Sequence, residues 1–88
     1  MAAYRVEVQR GAEKDLSRLS APLFERVVER IGELAADPRP LGSEKLAALD
    51  LYRLSVGDYR VIHEIEERAK LVTILRVRHR REVYRKPR

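Results

Sequence analysis

Residues 57–79, GDYRVIHEIEERAKLVTILRVRH, decide the fold that this sequence predicts. Two apolar runs, YRVIHEI and LVTILRV, are separated by the polar stretch 66–70, and the pair Gly57-Asp58 precedes the first run. Glycine-containing pairs and short polar stretches between apolar runs are signals for hairpin turns. Together with LYRLSV at residues 51–56, the pattern predicts three consecutive antiparallel strands. Because YRVIHEI and LVTILRV are apolar at both alternations, we expect them to be central strands.

The residues before this meander predict one strand and two helices. AYRVEVQ, residues 3–9, alternates apolar with polar side chains, which indicates a half-buried strand. Apolar residues at helical spacing follow Gly11, and a second helix is expected to begin at Ser20 and Pro22. DPRP at residues 37–40 ends it, because proline lacks a backbone N–H, and a loop is expected to run to about residue 49.

The predicted order is therefore β-α-α-β-β-β in an α+β fold. A chain of 88 residues is long enough for one small domain, residues 1–88, in which two N-terminal helices pack on one face of an antiparallel sheet. The chain has no cysteine, no apolar run near the roughly 20 residues of a membrane span, and no signal-peptide pattern. These features favour a soluble, cytoplasmic protein with no membrane partner.

The positive charge is concentrated in the C-terminal half. Residues 1–50 carry eight Lys/Arg and nine Asp/Glu, net −1, whereas residues 51–88 carry eleven and five, net +6. The segment RVRHRREVYRKPR, residues 76–88, alone holds seven basic side chains against one acid. Arginine forms two hydrogen bonds at once to a phosphate, so this half is suited to a polyanion.

Most catalytic classes lack their sequence signals here. There is no glycine-rich phosphate loop, and His63 and His79 are not spaced as a metal pair on one helical turn. We therefore expect no metal site and no cofactor. His63, within an apolar strand pattern, is expected to be a packed core histidine.

The strand pattern brings several arginines together. Arg53 lies on the first strand of the meander and Arg60 on the second, while Arg76 and the arginines after it follow on the third. Arg60 and Arg76 interrupt mostly apolar strands, where an unpaired charge is costly, so each requires a fixed acid or an anionic ligand. One alternative is that Arg60 pairs with Asp58 or Glu64 and that the terminal arginines are simply solvated.

Three stretches of the chain resemble a known family. The stretches are the N-terminal KDLSRL, then LYRLSVGDYRVIHEIEE, preceded by KL at residues 45–46, and finally VTILRVRHRREVYR. They are similar to the RelE branch of the RelE/ParE superfamily of bacterial toxins. The likeness spans residues 4–85. It implies a small α+β toxin of a type II toxin-antitoxin system, acting as a ribosome-dependent endoribonuclease (mRNA interferase) that cuts messenger RNA in the ribosomal A site. It also implies a cognate acidic, RelB-like antitoxin as partner.

The resemblance also assigns roles to residues. The expected catalytic residues are Arg60, Arg80 and Tyr84, and the expected phosphate-binding residues are Arg53, Arg81 and Lys45. One position departs from the family pattern, since Ser55 stands where relatives frequently have lysine or arginine.

The implied chemistry needs few groups. In RNA the 2′-OH attacks its own adjacent phosphate, so the protein supplies alignment, a proton acceptor, a proton donor and positive charge. Tyr84 among arginines is the best candidate base, because positive potential favours the phenolate, and His79 is the alternative base. Two other readings stay open: a ParE-like toxin that inhibits DNA gyrase without cutting RNA, and a non-catalytic module that binds nucleic-acid backbones.

Overall fold

The computed structural model describes residues 3–46 and 50–84, with the backbone alone described at residues 83 and 84. Eight elements follow one another: β1 Arg5–Val8, α1 Arg10–Ser17, α2 Ala21–Glu33, β2 Ser43–Lys45, β3 Leu51–Val56, β4 Tyr59–Glu66, β5 Leu71–His79 and α3 Arg80–Tyr84. The strands form one sheet in the order β1-β5-β4-β3-β2. Within the described ranges, no helix is long and apolar enough to cross a membrane.

Both predicted helices are confirmed. The shorter helix, α1, begins at Arg10, so Gly11 lies inside it and not before it. The longer helix, α2, has Ser20 at its N-cap position and Pro22 in its first turn, where the missing N–H of proline has no helical partner to lose. Its apolar stripe turns Val27 and Ile31 into the core.

The predicted meander is confirmed as β3, β4 and β5, which pair antiparallel with β4 at the centre of the sheet. The sheet as a whole is mixed, because β1 pairs parallel to β5, with Val6 opposite Val72. Alternation assigns side chains to faces and says nothing of strand direction, so the pattern could not reveal this pairing.

The expected loop up to residue 49 is wrong at one point. Ser43–Lys45 form β2, which pairs antiparallel with the edge of β3, with Glu44 opposite Arg53. The residues SEK carry no apolar alternation, and backbone hydrogen bonds to β3 alone make this segment a strand.

One face of the sheet carries the core and the other stays half-exposed. The core face packs against the two long helices, and its buried apolar residues are Ala12, Leu16, Val27, Ile31, Leu34, Tyr52, Leu54, Val56, Val61, Ile65, Val72, Ile74 and Val77. On β3, β4 and β5 the alternate side chains are intermediate or exposed. We call this second surface the open face. The strand register therefore places the candidate arginines of β3, β4 and β5 on the open face.

His63 is fully buried on β4, which confirms its expected role as a packed strand histidine. Its Nε2 lies 3.1 Å from the carbonyl oxygen of Pro38 and donates to it, and its ring stacks on Tyr52 with centroids 5.8 Å apart. Burial lowers the pKa of His63 and outweighs the backbone carbonyls that favour its protonated form. The histidine therefore ties the loop after α2 to the centre of the sheet in its neutral form.

We expect the free energy of unfolding to fall as the pH drops below about 6.5, because the unfolded chain then binds a proton that folded His63 resists. The stabilisation is fully present above the unfolded pKa and is lost toward the lower folded pKa, at no more than about 1.4 kcal/mol for each pH unit. Urea unfolding at several pH values between 5 and 8 measures this dependence of the free energy of unfolding on pH. His63→Leu should remove this dependence and His79→Gln should keep it; a slope retained in His63→Leu contradicts the assignment.

Candidate functional site

Two rows of side chains cross the open face near the end of the meander. Ser55 lies opposite Arg60, and Arg60 lies opposite Arg78, so these three residues form one row across β3, β4 and β5. Directly opposed residues of antiparallel strands point to the same face. The next row places Arg53 and Arg76 on either side of Ile62. We call Arg53, Arg60, Arg76 and Arg78 the arginine face.

Arg60 has neutral partners. Its Nη1 donates to the carbonyl oxygens of Gly57 and Tyr59, both at 3.0 Å, where Gly57 takes a φ of 59° in the β3–β4 turn. Within residues 3–46 and 50–84, neither Asp58 nor Glu64 forms an ion pair with Arg60, so the alternative pairing that we considered is not observed. A guanidinium has five donor hydrogens, so those on Nε and Nη2 are left for another acceptor.

Two other arginines of this face have fixed acids. Arg53 forms an ion pair with Glu44 across β2 and β3, and its side chain is only 16% exposed. Arg76 donates from Nε and Nη2 to the two carboxylate oxygens of Asp15, at 2.9 and 3.1 Å. Asp15 is thus the fixed acid that Arg76 requires, whereas Arg60 has no acidic partner among the residues that the structure describes.

Asp15 reaches β5 because β1 stops early. The backbone N–H of Gln9 donates to Ile74, and the chain then leaves the sheet at Arg10 while β5 continues to His79. Val77 lies beyond the part of β5 that β1 covers, and its backbone N–H donates instead to Asp15, on the buried side of α1, at 2.8 Å. Burial raises the pKa of Asp15, but the hydrogen bonds from Arg76 and Val77 and the nearby positive charges more than offset it, so the pKa lies below its ordinary value.

A pocket of about 380 Å³ opens between α1, the end of β5 and α3. Its charged and aromatic lining comprises Asp15, Arg18, Tyr59, Arg76, Arg78 and Glu82. Arg78 lies between this pocket and Arg60. Its Nε is buried 3.9 Å from the carboxylate of Asp15 and has no hydrogen-bond partner within residues 3–46 and 50–84. Arg78 was not among the expected site residues; the sequence shows it only as one of the arginines after Arg76, and the strand register places it opposite Arg60.

His79 caps α3. Its Nδ1 accepts the backbone N–H of Arg81 at 3.1 Å, and its own backbone N–H donates to Glu82 at 3.0 Å, which is a reciprocal N-terminal cap. Its ring meets Tyr59 edge-on with centroids 5.2 Å apart, on the face opposite to Arg60. The structure therefore does not bring His79 together with the arginine face.

The remaining predicted residues are spread over α3 and β2. Arg80 is exposed, and its backbone N–H donates to Asp58 at 2.7 Å while its Nε lies 3.8 Å from the carboxylate of Asp58. Arg81 is exposed on α3, and the side chain of Tyr84 lies outside the described part of the chain. Lys45 lies opposite Tyr52, so it is on the helix-covered face and away from Arg53 and Arg60.

Comparison with known proteins shows the family to which this chain belongs. The family model of the ParE toxin of type II toxin-antitoxin systems matches residues 6–84. The toxin RelG of Mycobacterium tuberculosis is 33% identical over 88 residues, which cover 94% of this chain and 98% of that protein. The chain belongs to the RelE/ParE superfamily of type II toxins, in its RelE branch.

Solved structures support the same placement of this RelE-branch toxin. The RelE chain of the archaeal RelE–RelB complex from Pyrococcus horikoshii OT3 superposes with a TM-score of 0.80 at 33% identity, covering 89% of this chain and 96% of that chain. The toxin-antitoxin complex RelBE2 from Mycobacterium tuberculosis gives a TM-score of 0.78 at 29% identity, covering 88% and 98%. The predicted α+β architecture, with two helices packed on a sheet, is confirmed.

A cation introduced at residue 55 tests the row on the open face. Ser55 is exposed opposite Arg60, so Ser55→Lys should add one phosphate contact and steepen the salt dependence of the affinity for single-stranded RNA by about 0.7 in log-log slope. Fluorescence anisotropy with a labelled oligonucleotide measures the slope. Thr73→Lys, about 16 Å along β5 from Arg78, is the matched control. An equal change in both variants contradicts a local site.

Proposed function

We propose that this toxin is a ribosome-dependent endoribonuclease that cleaves messenger RNA in the A site by attack of a ribose 2′-OH on the adjacent phosphate. The observation that carries the proposal is the opposition of Arg60 and Arg78 on the open face, with Arg60 held by two neutral carbonyl oxygens. Two opposed arginines with unused N–H donors can stabilise the phosphorane-like transition state of this reaction, which carries two negative charges.

The arginines supply charge and alignment in this mechanism. Arg60 is pre-positioned by Gly57 and Tyr59, so its Nε and Nη2 hydrogens form a planar fork that grips two phosphate oxygens. Arg78 approaches the same phosphate from β5, and Arg80 extends the positive surface onto α3. As the 2′-oxygen attacks in line, charge grows on the phosphorane oxygens and these guanidinium groups stabilise it.

Proton transfer falls to Tyr84 in this proposal. The phenolate accepts the proton of the 2′-OH, and the basic residues beside Tyr84 in the sequence favour the phenolate. As the 2′,3′-cyclic phosphate forms, the bond between phosphorus and the 5′-oxygen breaks, and the leaving 5′-oxygen takes a proton from water. The cap on α3 supports Tyr84 over the alternative base His79, because the Nδ1 of His79 already accepts a backbone N–H and the neutral ring then carries its proton on Nε2. A site with so few acid-base groups benefits from a substrate that the ribosome orients, which is our reason for proposing ribosome dependence.

The antitoxin that we propose is acidic and amphipathic. The RelE relatives named above were crystallised with RelB-type antitoxins, and residues 51–88 of this chain carry a net charge of +6. The arginine face and pocket attract a partner of opposite charge. An acidic protein encoded beside this toxin should bind it at micromolar concentration or below in calorimetry, and a failure to bind rejects the proposal.

The second candidate function is inhibition of DNA gyrase, because the matched family model describes ParE toxins. Primer extension on messenger RNA after brief induction in cells, beside a gyrase supercoiling assay, separates the two functions. We expect cleavage within codons and unchanged supercoiling, and we expect Arg60→Ala to abolish cleavage without a large change in the melting temperature. Blocked supercoiling without cleavage contradicts the nuclease.

Tyr84→Phe tests the base, since it keeps the ring and removes the ionisable oxygen. We expect single-turnover cleavage on ribosomes to fall by about 10²- to 10⁴-fold with little change in binding. His79→Gln is the companion variant. If Tyr84→Phe cleaves at the wild-type rate while His79→Gln is inactive, the role of base passes to His79.

A further inference from the structure

One buried carboxylate contacts three consecutive residues of β5. Asp15 is 7% exposed; it accepts two hydrogen bonds from Arg76 and one from the backbone of Val77, and it lies 3.9 Å from Nε of Arg78. We call these contacts the Asp15 clasp. It lies where β5 has lost its partner β1, so nothing else in the described ranges pairs with that edge of the strand at Val77.

Arg78 differs from Arg76 in how the clasp holds it. Arg76 donates two hydrogen bonds to Asp15. Arg78 is attracted by the same carboxylate at 3.9 Å but forms no hydrogen bond with it in the described ranges. Its side chain is 36% exposed and stands opposite Arg60, and like charges directly opposite on a sheet repel. A carboxylate beside the pair reduces that repulsion and leaves the guanidinium of Arg78 able to bind a phosphate.

We propose that Asp15 is a positioning residue of the nuclease site: it fixes the end of β5 so that Arg78 and Arg60 bracket the scissile phosphate. This inference rests on the proposed function and assigns a residue that the sequence did not single out. Asp15 touches no substrate in this scheme, and it acts through Arg76, the backbone of Val77 and Arg78.

Asp15→Asn distinguishes a role of Asp15 through its charge alone from a role in positioning Arg78, because the two roles predict opposite changes in the cleavage rate. If the carboxylate acts only through its field, removing it makes the site more positive, so RNA should bind more tightly and react at least as fast. If it positions Arg78, the maximal rate should fall although the affinity does not. A purely structural role predicts a lower melting temperature with an unchanged rate per folded molecule.

The test is single-turnover cleavage of messenger RNA on programmed ribosomes, with toxin concentration varied to separate the maximal rate from half-saturation. We expect Asp15→Asn to lower the maximal rate by about 10- to 100-fold without raising half-saturation, and Asp15→Glu to recover part of the loss. Glu13→Gln is the charge-matched control, because Glu13 lies on the same helix as Asp15 but is exposed and forms no ion pair within the described ranges. Equal losses in Asp15→Asn and Glu13→Gln overturn the proposal.

Arg76→Lys covers the case in which Asp15→Asn does not fold. It preserves the charge but loses the two-pronged contact with Asp15, so the maximal rate should again fall, and a wild-type rate contradicts positioning. If the wild-type toxin cleaves no RNA, the proposed function is rejected, and the positioning role of Asp15 needs a separate test.

That test follows the Nε–H resonance of Arg78 during titration with a 2′-deoxy oligonucleotide. Positioning requires a shift of this resonance in the wild type that Asp15→Asn loses, and an identical shift in both proteins overturns the proposal.

Discussion

The contact between Asp15 and the unpaired end of β5 is the interaction on which the candidate site depends. A sheet edge exposes backbone donors, and β1 covers β5 only from Leu71 to Ile74. Beyond that point α1 replaces the missing strand, and its one buried acid takes the N–H of Val77. Because a buried carboxylate requires compensation, the same contact also fixes Arg76. The geometry of the arginine face thus follows from where β1 ends.

The opposite end of the sheet is held by a second polar network. Glu67, in the turn between β4 and β5, accepts from the hydroxyl of Tyr4 at 2.5 Å and pairs with Arg39, which donates to the hydroxyl of Tyr52 at 3.0 Å. These contacts join the N-terminal segment, the proline-rich loop and the meander beside buried His63. The end of the sheet away from the arginine face is therefore secured by its own contacts, independently of Asp15.

Arginines concentrated on one face of the sheet repel one another, and the fold compensates their charges to different degrees. Arg53 and Arg76 have acids, whereas Arg60 has backbone carbonyl oxygens that neutralise no charge. Ser55, which lies opposite Arg60, adds no further positive charge to this row of the open face. In the proposed function a phosphate of the RNA supplies the negative charge that Arg60 lacks within the described ranges.

The sequence by itself determined β1, the two longer helices, the three strands of the meander, the packed histidine and the basic half, but not β2 or α3. These follow from periodicity and composition, which are local properties. Only the tertiary structure decided that β1 runs parallel to β5, that Lys45 and His79 lie away from the face of Arg60, and that Arg78 stands opposite it. Register and the pairing of Asp15 with Arg76, 61 residues apart, arise from backbone hydrogen bonds and burial between distant segments, which no local pattern encodes.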